Sequence, residues 1–388
     1  NINDYTSGVD VTITGGTNAA TPLTVNATTM DAGEILTGNF AAATGGVTMN
    51  AGAGADILTG GASADTIYGN AGIDTIDGNA NSATLGADAI YGGAGNDIIN
   101  VSTGESEFSN SSTTALVTDT VDGGAGTDTL AFATAATLTK AELANISNIE
   151  KLTLANTSSI TLSDDFLTNN PGVAITLAAG TISAGAGTTA DPTLTKAVSY
   201  TAGNGAIKVT TGTADDTFNT ASGAVFDVSD TINGGAGTDT IAIYNDATFG
   251  TTDTAGDAVT LALDIYHTNI EKITVVDVAT DDTADVTITI AAAYTGTALE
   301  IDASSLDQNA LSTASEALVL TQNSADTAVL TVTGGAGADI IATGAKADTV
   351  TGNGGIDTIT TNAGNDSIYG GAGNDIITPG AGRDYAEG

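Results

Sequence analysis

The sequence predicts an all-β protein. Parallel β-roll (β-solenoid) segments should alternate with irregular, strand-rich blocks of solenoid or sandwich-like type, with very little helix. Three observations carry this. Aspartates recur every ninth residue inside glycine-rich turns. Thr, Val and Ile runs alternate with the two-residue period of a strand, as in Val11-Ile13 and Val286-Ile288-Ile290. A block of more than a hundred residues also repeats, running from strand-rich sequence into nonapeptides.

The nonapeptides are densest at the C-terminal end. Asp339, Asp348, Asp357, Asp366, Asp375 and Asp384 are spaced by nine, in GGAGADIIA, TGAKADTVT, GNGGIDTIT, TNAGNDSIY, GGAGNDIIT and PGAGRDYAE. Gly or Asn dominates the first four places, Asp holds the sixth, and an aliphatic residue usually holds the eighth. A second run carries Asp56, Asp65 and Asp74, then Asp88 after a five-residue insertion, then Asp97. Shorter pieces carry Asp119 with Asp128, and Asp216 followed by Asp230 with Asp239.

On the longer scale GGAGTDTL at 123–130 returns as GGAGTDTI at 234–241, and NIEKLTL at 148–154 as NIEKITV at 269–275. DVTIT at 10–14 returns at 285–289, and Met30-Asp31-Ala32 matches Ile301-Asp302-Ala303. This divides the chain into a strand-rich block at 1–46, a β-roll with insertions at 47–130, a strand-rich block at 131–201, a short roll segment at 202–241, a strand-rich block at 242–329 and a β-roll at 330–388. The chain opens at Asn1 with neither Met nor a signal-like segment and reads as a processed or excised piece. Asn170-Pro171-Gly172 and Gly185-Ala186-Gly187 read as turns. Thr139-Lys140-Ala141-Glu142 reads as a capping box that opens one short helix before the NIEKLTL strand.

Composition narrows the chemistry. Seven basic residues against 46 acidic ones give a formal charge of −39. Nucleic acid needs clustered Lys and Arg, so it is not a partner. An anionic membrane surface repels this chain, and no apolar run approaches the ~18 residues of a membrane span. Cysteine is absent, which excludes thiolate metal sites, thiol catalysis and disulfide staples. A divalent cation is the obvious complement to so many carboxylates.

The nonapeptide explains how such a cation is held. Glycines at the first, second and fourth places permit tight turns with φ > 0 and leave carbonyl oxygens free to point inward. The sixth-place Asp adds a hard anionic oxygen. The last three residues, such as Thr358-Ile359-Thr360, form a short strand with its aliphatic residue inward. Two nonapeptides make one coil of eighteen residues, so turns eighteen residues apart stack. A cation between them meets two carboxylates and several carbonyls, the oxygen cage that Ca²⁺ prefers; Mg²⁺ demands a smaller octahedron, and zinc wants Cys or His.

These GGxGxDxUx nonapeptides resemble the RTX repeats of exported bacterial proteins, which form calcium-binding parallel β-rolls. The strand-rich blocks between them, with NIEKxTx strands and IDAS-like turns, resemble parts of bacterial RTX surface-layer proteins. The first resemblance implies paired ligands: Asp339 with Asp357, Asp348 with Asp366, Asp357 with Asp375, Asp366 with Asp384, Asp56 with Asp74, Asp65 with Asp88, and Asp74 with Asp97. Asp88 with Asp119, Asp97 with Asp128 and Asp216 with Asp239 pair if the insertions loop out. Main-chain ligands fall at Gly334, Ala336, Gly352, Gly354, Gly355, Gly370, Gly371, Ala372 and Gly373. The implied load is about seven to ten Ca²⁺ ions. Seven ions would bring the charge to −39 + 14 = −25. Lys346, Ser63 and Ala214 depart from glycine at the fourth place, and the Lys346 cation should weaken its site. Val47, Ile207 and Leu330 stand where Asp would be and read as metal-free opening coils that cap the roll.

The function expected is structural and not enzymatic: calcium-dependent folding and lattice assembly in a secreted bacterial surface layer, exported by a type I system. The alternatives are the calcium-stiffened stalk of a large RTX adhesin and the non-catalytic calcium-binding part of an exported enzyme. Other copies of the chain are the expected partners, with a cell-surface polysaccharide reached through a region outside this chain. No H-E-x-x-H, G-x-S-x-G or GK[ST] motif occurs. His267 is the lone histidine, stands where the preceding block has Ile146, and reads as a packing residue. Acids such as Asp281 and Asp282 read as solvated loop charges.

Overall fold

A computed structural model of the chain describes residues 9–16, 22–78, 87–101, 119–155, 158–177, 180–184, 195–202, 206–220, 226, 230–245, 259–277, 285–292, 294–306 and 316–388. The turn at Gly185-Ala186-Gly187 and the acids Asp281 and Asp282 lie outside these residues. The chain divides into two compact units, Asn1–Lys196 and Ala197–Gly388.

In the first unit the strand alternation drives one residue of each short strand inward, and successive coils place these residues on top of one another. Leu58 pairs with Ile76, Ile76 with Ile99, Ile99 with Leu130, Leu130 with Leu152 and Leu152 with Ile175. Across the core, Met49, Ile67, Ile90, Val121 and Ile146 form the facing column. All these side chains are buried, each worth roughly 1.5–3 kcal/mol of transfer free energy. The second unit is built alike. Leu299, Leu330, Val332, Val350 and Ile368 line one wall, and Leu320, Ile341 and Ile359 line the other.

Every strand pairing among the described residues is parallel, so the fold is an all-parallel β-solenoid. The strand-rich blocks are solenoid, not sandwich-like. Their strands join the nonapeptide strands in one ladder: Gly38 pairs with Leu58, and Leu130 with Leu152. The rungs tolerate very different coil lengths. Partners are 18 residues apart at Ile57 and Thr75, 23 at Thr75 and Ile98, and 31 at Ile98 and Thr129. Insertions leave at the turns and the register of the inward residues survives.

Two expectations need correction. Val47 and Leu330 are not caps, because the Val47 strand stacks its Met49 on buried Val25, and Leu330 stacks on Leu299. The apolar core continues past them into the strand-rich blocks. The segment after Thr139 makes the reciprocal bond of a capping box, Thr139 N–H to Glu142 Oε2 at 2.5 Å. It turns back into the Ile146–Ser147 strand before a helix can form. Among the described residues the one α-helix is Asp164–Asn169. There Ser163 Oγ accepts from Phe166 N–H, two acids occupy the first turn, and Phe166 and Leu167 are buried. No helix of the described residues is long and apolar enough to cross a membrane.

Candidate metal centre

Nonapeptide turns that follow another nonapeptide share a backbone signature, which the earlier turns at Gly52, Gly54, Gly61, Gly335 and Gly344 lack. The second place lies in the left-handed region, at Asn70 (φ 76), Asn353 (φ 71) and Gly371 (φ 105). The fourth place takes a positive φ that suits only glycine, at Gly72 (126), Gly355 (111) and Gly373 (151). Asparagine is therefore tolerated at the second place but not the fourth. Ser63, Ala214 and Lys346 do not appear among the residues of positive φ, so their turns take another shape.

That backbone brings the sixth-place aspartates into a ladder. Asp56 N–H donates to Asp74 Oδ1 at 2.7 Å, and Asp74 N–H to Asp97 Oδ1 at 2.8 Å. The insertions do loop out, since Asp88 N–H reaches Asp119 Oδ1 at 2.8 Å and Asp97 N–H reaches Asp128 Oδ1 at 2.7 Å. Asp65 with Asp88, Asp216 with Asp239, Asp339 with Asp357, Asp348 with Asp366, Asp357 with Asp375 and Asp366 with Asp384 repeat the bond at 2.8–3.0 Å. Every aspartate pair expected from the sequence is thus adjacent. Asp230 instead accepts from Ile207 N–H at 3.0 Å.

The second carboxylate oxygen is the informative one. Asp74, Asp97, Asp128, Asp239, Asp357, Asp366 and Asp375 each bury an Oδ2 that has no hydrogen-bond partner. An unpaired buried carboxylate oxygen is costly. It points into a cradle of carbonyl oxygen. A Cβ built on Gly352 would lie 2.3 Å from Asp357 Oδ2 and 2.6 Å from the Gly370 carbonyl. At Gly69 it would lie 2.3 Å from Asp74 Oδ2 and 2.4 Å from the Gly92 carbonyl. The first-place glycine therefore keeps open a space shared by an orphaned anionic oxygen and the carbonyl of the next turn.

Among the expected main-chain ligands, the carbonyls of Gly352 and Gly370 reach these cradles, and Gly334 lines the one at Asp339. The Gly334 carbonyl accepts from the Asn353 side chain at 2.7 Å, and the Ala372 carbonyl from Gly355 N–H at 3.0 Å. Gly354 stacks on Ala336, Gly371 on Asn353, and Gly373 on Gly355. These last groups hold turn upon turn.

Electrostatics match the geometry. Burial lifts the Asp74 carboxyl to about 7, with the Asp56 N–H pulling it back and the charges of Asp97 and Asp56 pushing it further. Burial, opposed by the Leu318 N–H and aided by the Asp357 charge, takes Asp339 to about 7. Asp97 and Asp357 also rise above the usual carboxylate range through burial. Stacked anions in a desolvated column need a cation. Among the described residues no group of three or more His, Cys, Asp or Glu is placed to hold a metal ion. The donor set is carboxylate pairs plus carbonyls, hard oxygen throughout, which fits Ca²⁺.

The turns of Asp56, Asp65 and Asp339 differ. Asp56 Oδ1 accepts from Leu36 N–H at 2.6 Å, and its Oδ2 from Gly52 N–H at 3.1 Å. Asp339 is held likewise by Leu318 and Gly335, and Asp65 by Val47 and Gly61. Near the opening coil at Leu330 a further acid is buried, Asp326, with an unpartnered Oδ2.

Sequence reasoning missed two acids that join the ladder. Asp128 N–H donates to Glu150 Oε2 at 2.8 Å, and Asp239 N–H to Glu271 Oε2 at 2.9 Å. The duplicated NIEK was the available signal, and it served only to mark the long repeat. His267 is fully buried and stacks on Ile232 in the aliphatic column, with Nδ1 3.1 Å from Asp264 Oδ1.

The sequence pattern described as the RTX calcium-binding nonapeptide repeat (4 copies) matches residues 48–81, 82–105, 118–131, 229–242, 333–355 and 351–386. No curated protein matches the chain.

Proposed function

Since this chain carries RTX calcium-binding nonapeptide repeats, we propose that it is a calcium-dependent structural protein of a bacterial extracellular surface layer, without catalytic activity. The observation that carries the reading is the column of buried, unpartnered aspartate oxygens facing turn carbonyls. Calcium between the turns neutralises that column and links ion binding to folding. Extracellular modules commonly work at about 10⁻⁴–10⁻³ M calcium. A chain tuned to that range stays loose in a low-calcium cytosol, passes an export machine of the type I kind, and hardens outside. In the assembled layer, rolls supply stiffness and other copies of the chain are the contacts, with a surface polysaccharide as anchor through a region outside this chain.

The ladder runs through roll and strand-rich block alike, which also suits a second reading, the stiff stalk of an adhesin. Electron microscopy of the purified chain in calcium and in chelator separates the two. Ordered two-dimensional sheets that appear with calcium alone support the layer. Single rods in calcium support the stalk, and identical particles in both conditions overturn the calcium-assembly reading.

A further inference from the structure

The nonapeptide pattern stops at residues 131 and 242, yet the column of acids does not. We propose that the two NIEK segments close it with two further calcium sites. One is formed by Asp128, Glu150 and the Asn148 carbonyl, the other by Asp239, Glu271 and the Asn269 carbonyl. The proposal rests on the calcium reading of the nonapeptides and extends it to sequence with no nonapeptide in it.

The register shows what NIE replaces. Asp122 pairs with Ser147 and Thr129 with Lys151. Six residues, 123–128, therefore lie opposite three, 148–150. In the second unit Asn233 pairs with Thr268 and Thr240 with Lys272, so 234–239 lie opposite 269–271. Asn148 and Asn269 stand at the first place of the turn, and Glu150 and Glu271 at the sixth. Lys151 N–H donates to the Asp128 carbonyl at 2.9 Å, as Thr75 N–H does to Asp56 in the roll. A turn shortened by half brings its acid in from a different direction, and the extra methylene of Glu restores the reach that Asp has in a full turn.

The donors converge as they do between nonapeptides. Asp128 and Asp239 are fully buried, and the Oδ2 of each has no partner. A Cβ on Gly123 would lie 2.0 Å from the Asn148 carbonyl and 2.9 Å from Asp128 Oδ2. On Gly234 it would lie 2.2 Å from the Asn269 carbonyl and 2.4 Å from Asp239 Oδ2. Both asparagines sit in the left-handed region at φ 53. Their side chains are clamped, Asn148 to Asp122 Oδ1 and Asn269 to Asn233 Oδ1, each at 2.7 Å. The adjacent cation does not neutralise Glu271, because Lys272 Nζ is held by Glu300 at 2.8 Å. Beyond these acids the next coil offers neutral groups: Asn170 Oδ1 accepts from Ile149 N–H, and the Tyr294 hydroxyl donates to the Ile270 carbonyl. The same geometry arises in each unit separately, which argues for a built site over an accident of packing.

The test compares the wild-type chain with Glu150→Gln, Glu271→Gln and the double variant. Bound calcium per chain is measured at saturation by atomic emission, with far-ultraviolet circular dichroism as the check on folding. Glutamine keeps an acceptor for the Asp128 and Asp239 N–H groups. Each single variant is expected to lose one ion and the double variant two. A double variant that binds as many ions as wild type overturns the proposal while the nonapeptide reading stands. A wild-type chain that takes up no calcium overturns both. If a variant fails to fold, wild-type crystals grown in calcium decide: anomalous peaks are expected between Asp128 and Glu150 and between Asp239 and Glu271. Peaks confined to the gaps between nonapeptides overturn the proposal.

Discussion

Opening and interior turns share one sequence motif but manage the same carboxylate differently. In the opening turn, Asp339 spends both oxygens on backbone N–H groups, from Leu318 and Gly335. Eighteen residues on, Asp357 spends one on Asp339 N–H and leaves the other buried and bare. Asp56 and Asp74 repeat the contrast in the other unit. The preceding coil differs as well. Asp357 and Asp74 follow a nonapeptide, whereas Asp339 and Asp56 follow a strand-rich coil. Asp348 and Asp216, which also follow strand-rich coils, accept from Leu330 and Val198 N–H at Oδ1 but bury an Oδ2 without a hydrogen bond. Asp339 and Asp56 therefore owe their second bond to their own glycines, Gly335 and Gly52.

The largest effect should come from removing the ion. Chelation at pH 8 is expected to abolish most of the far-ultraviolet β signal, and acid should restore part of it. Asp74, Asp239 and Asp339 have folded-state values near 7 against an ordinary value of 3.8. The ion-free fold therefore binds more protons than the unfolded chain between about pH 4 and 7. Its stability is present below that window and is lost as the pH rises through it. A chelated chain that gains no structure between pH 8 and pH 5 would contradict this, as would calcium affinity that fails to weaken as pH falls below 7.

Next in size is a direct contrast of turns. Asp357 borders two gaps, toward Asp339 and toward Asp375, whereas Asp339 borders one. Calorimetric titration should show Asp357→Asn losing about two ions and Asp339→Asn at most one. Equal losses would remove the distinction between opening and interior acids. The smallest effect concerns two glycines of one turn. Gly355 has φ +111, and its Cβ would sit 2.0 Å from the Gly337 carbonyl, whereas a Cβ on Gly354 makes ordinary contact with Ala336. Gly355→Ala should cost about 1–3 kcal/mol in calcium-bound thermal stability, and Gly354→Ala about 0.5 kcal/mol or less.

Much of this was legible in the sequence. Strict ninefold spacing set the stacking partners from Asp339 to Asp384 and for Asp56 with Asp74, and the pairs 23 or 31 residues apart meet because the insertions loop out. The strand-rich blocks were less legible. Alternation tells which residues face inward but not which wall a strand joins, so sandwich and solenoid looked alike until Gly38 was found beneath Leu58. The helix was misplaced because Glu142 does reach back to the Thr139 N–H; the chain then prefers to bury Ile146 in the aliphatic column. Ser163 followed by two acids was the signal that should have been weighed. Glu150 and Glu271 went unread because their turn is half the usual length, which hides them from any search by spacing.

The N–H to Oδ1 ladder has a direction. Each coil donates to an oxygen carried by the coil that comes after it in the chain, as Asp348 does to Asp366 and Asp366 to Asp384. The two ends are therefore not equivalent templates. A growing stack that already holds its C-terminal coil offers acceptors to whatever arrives next, while one begun from the N-terminal side waits with bare donors. If the chain is exported as proposed, which terminus emerges first would then set how readily the solenoid starts to wind.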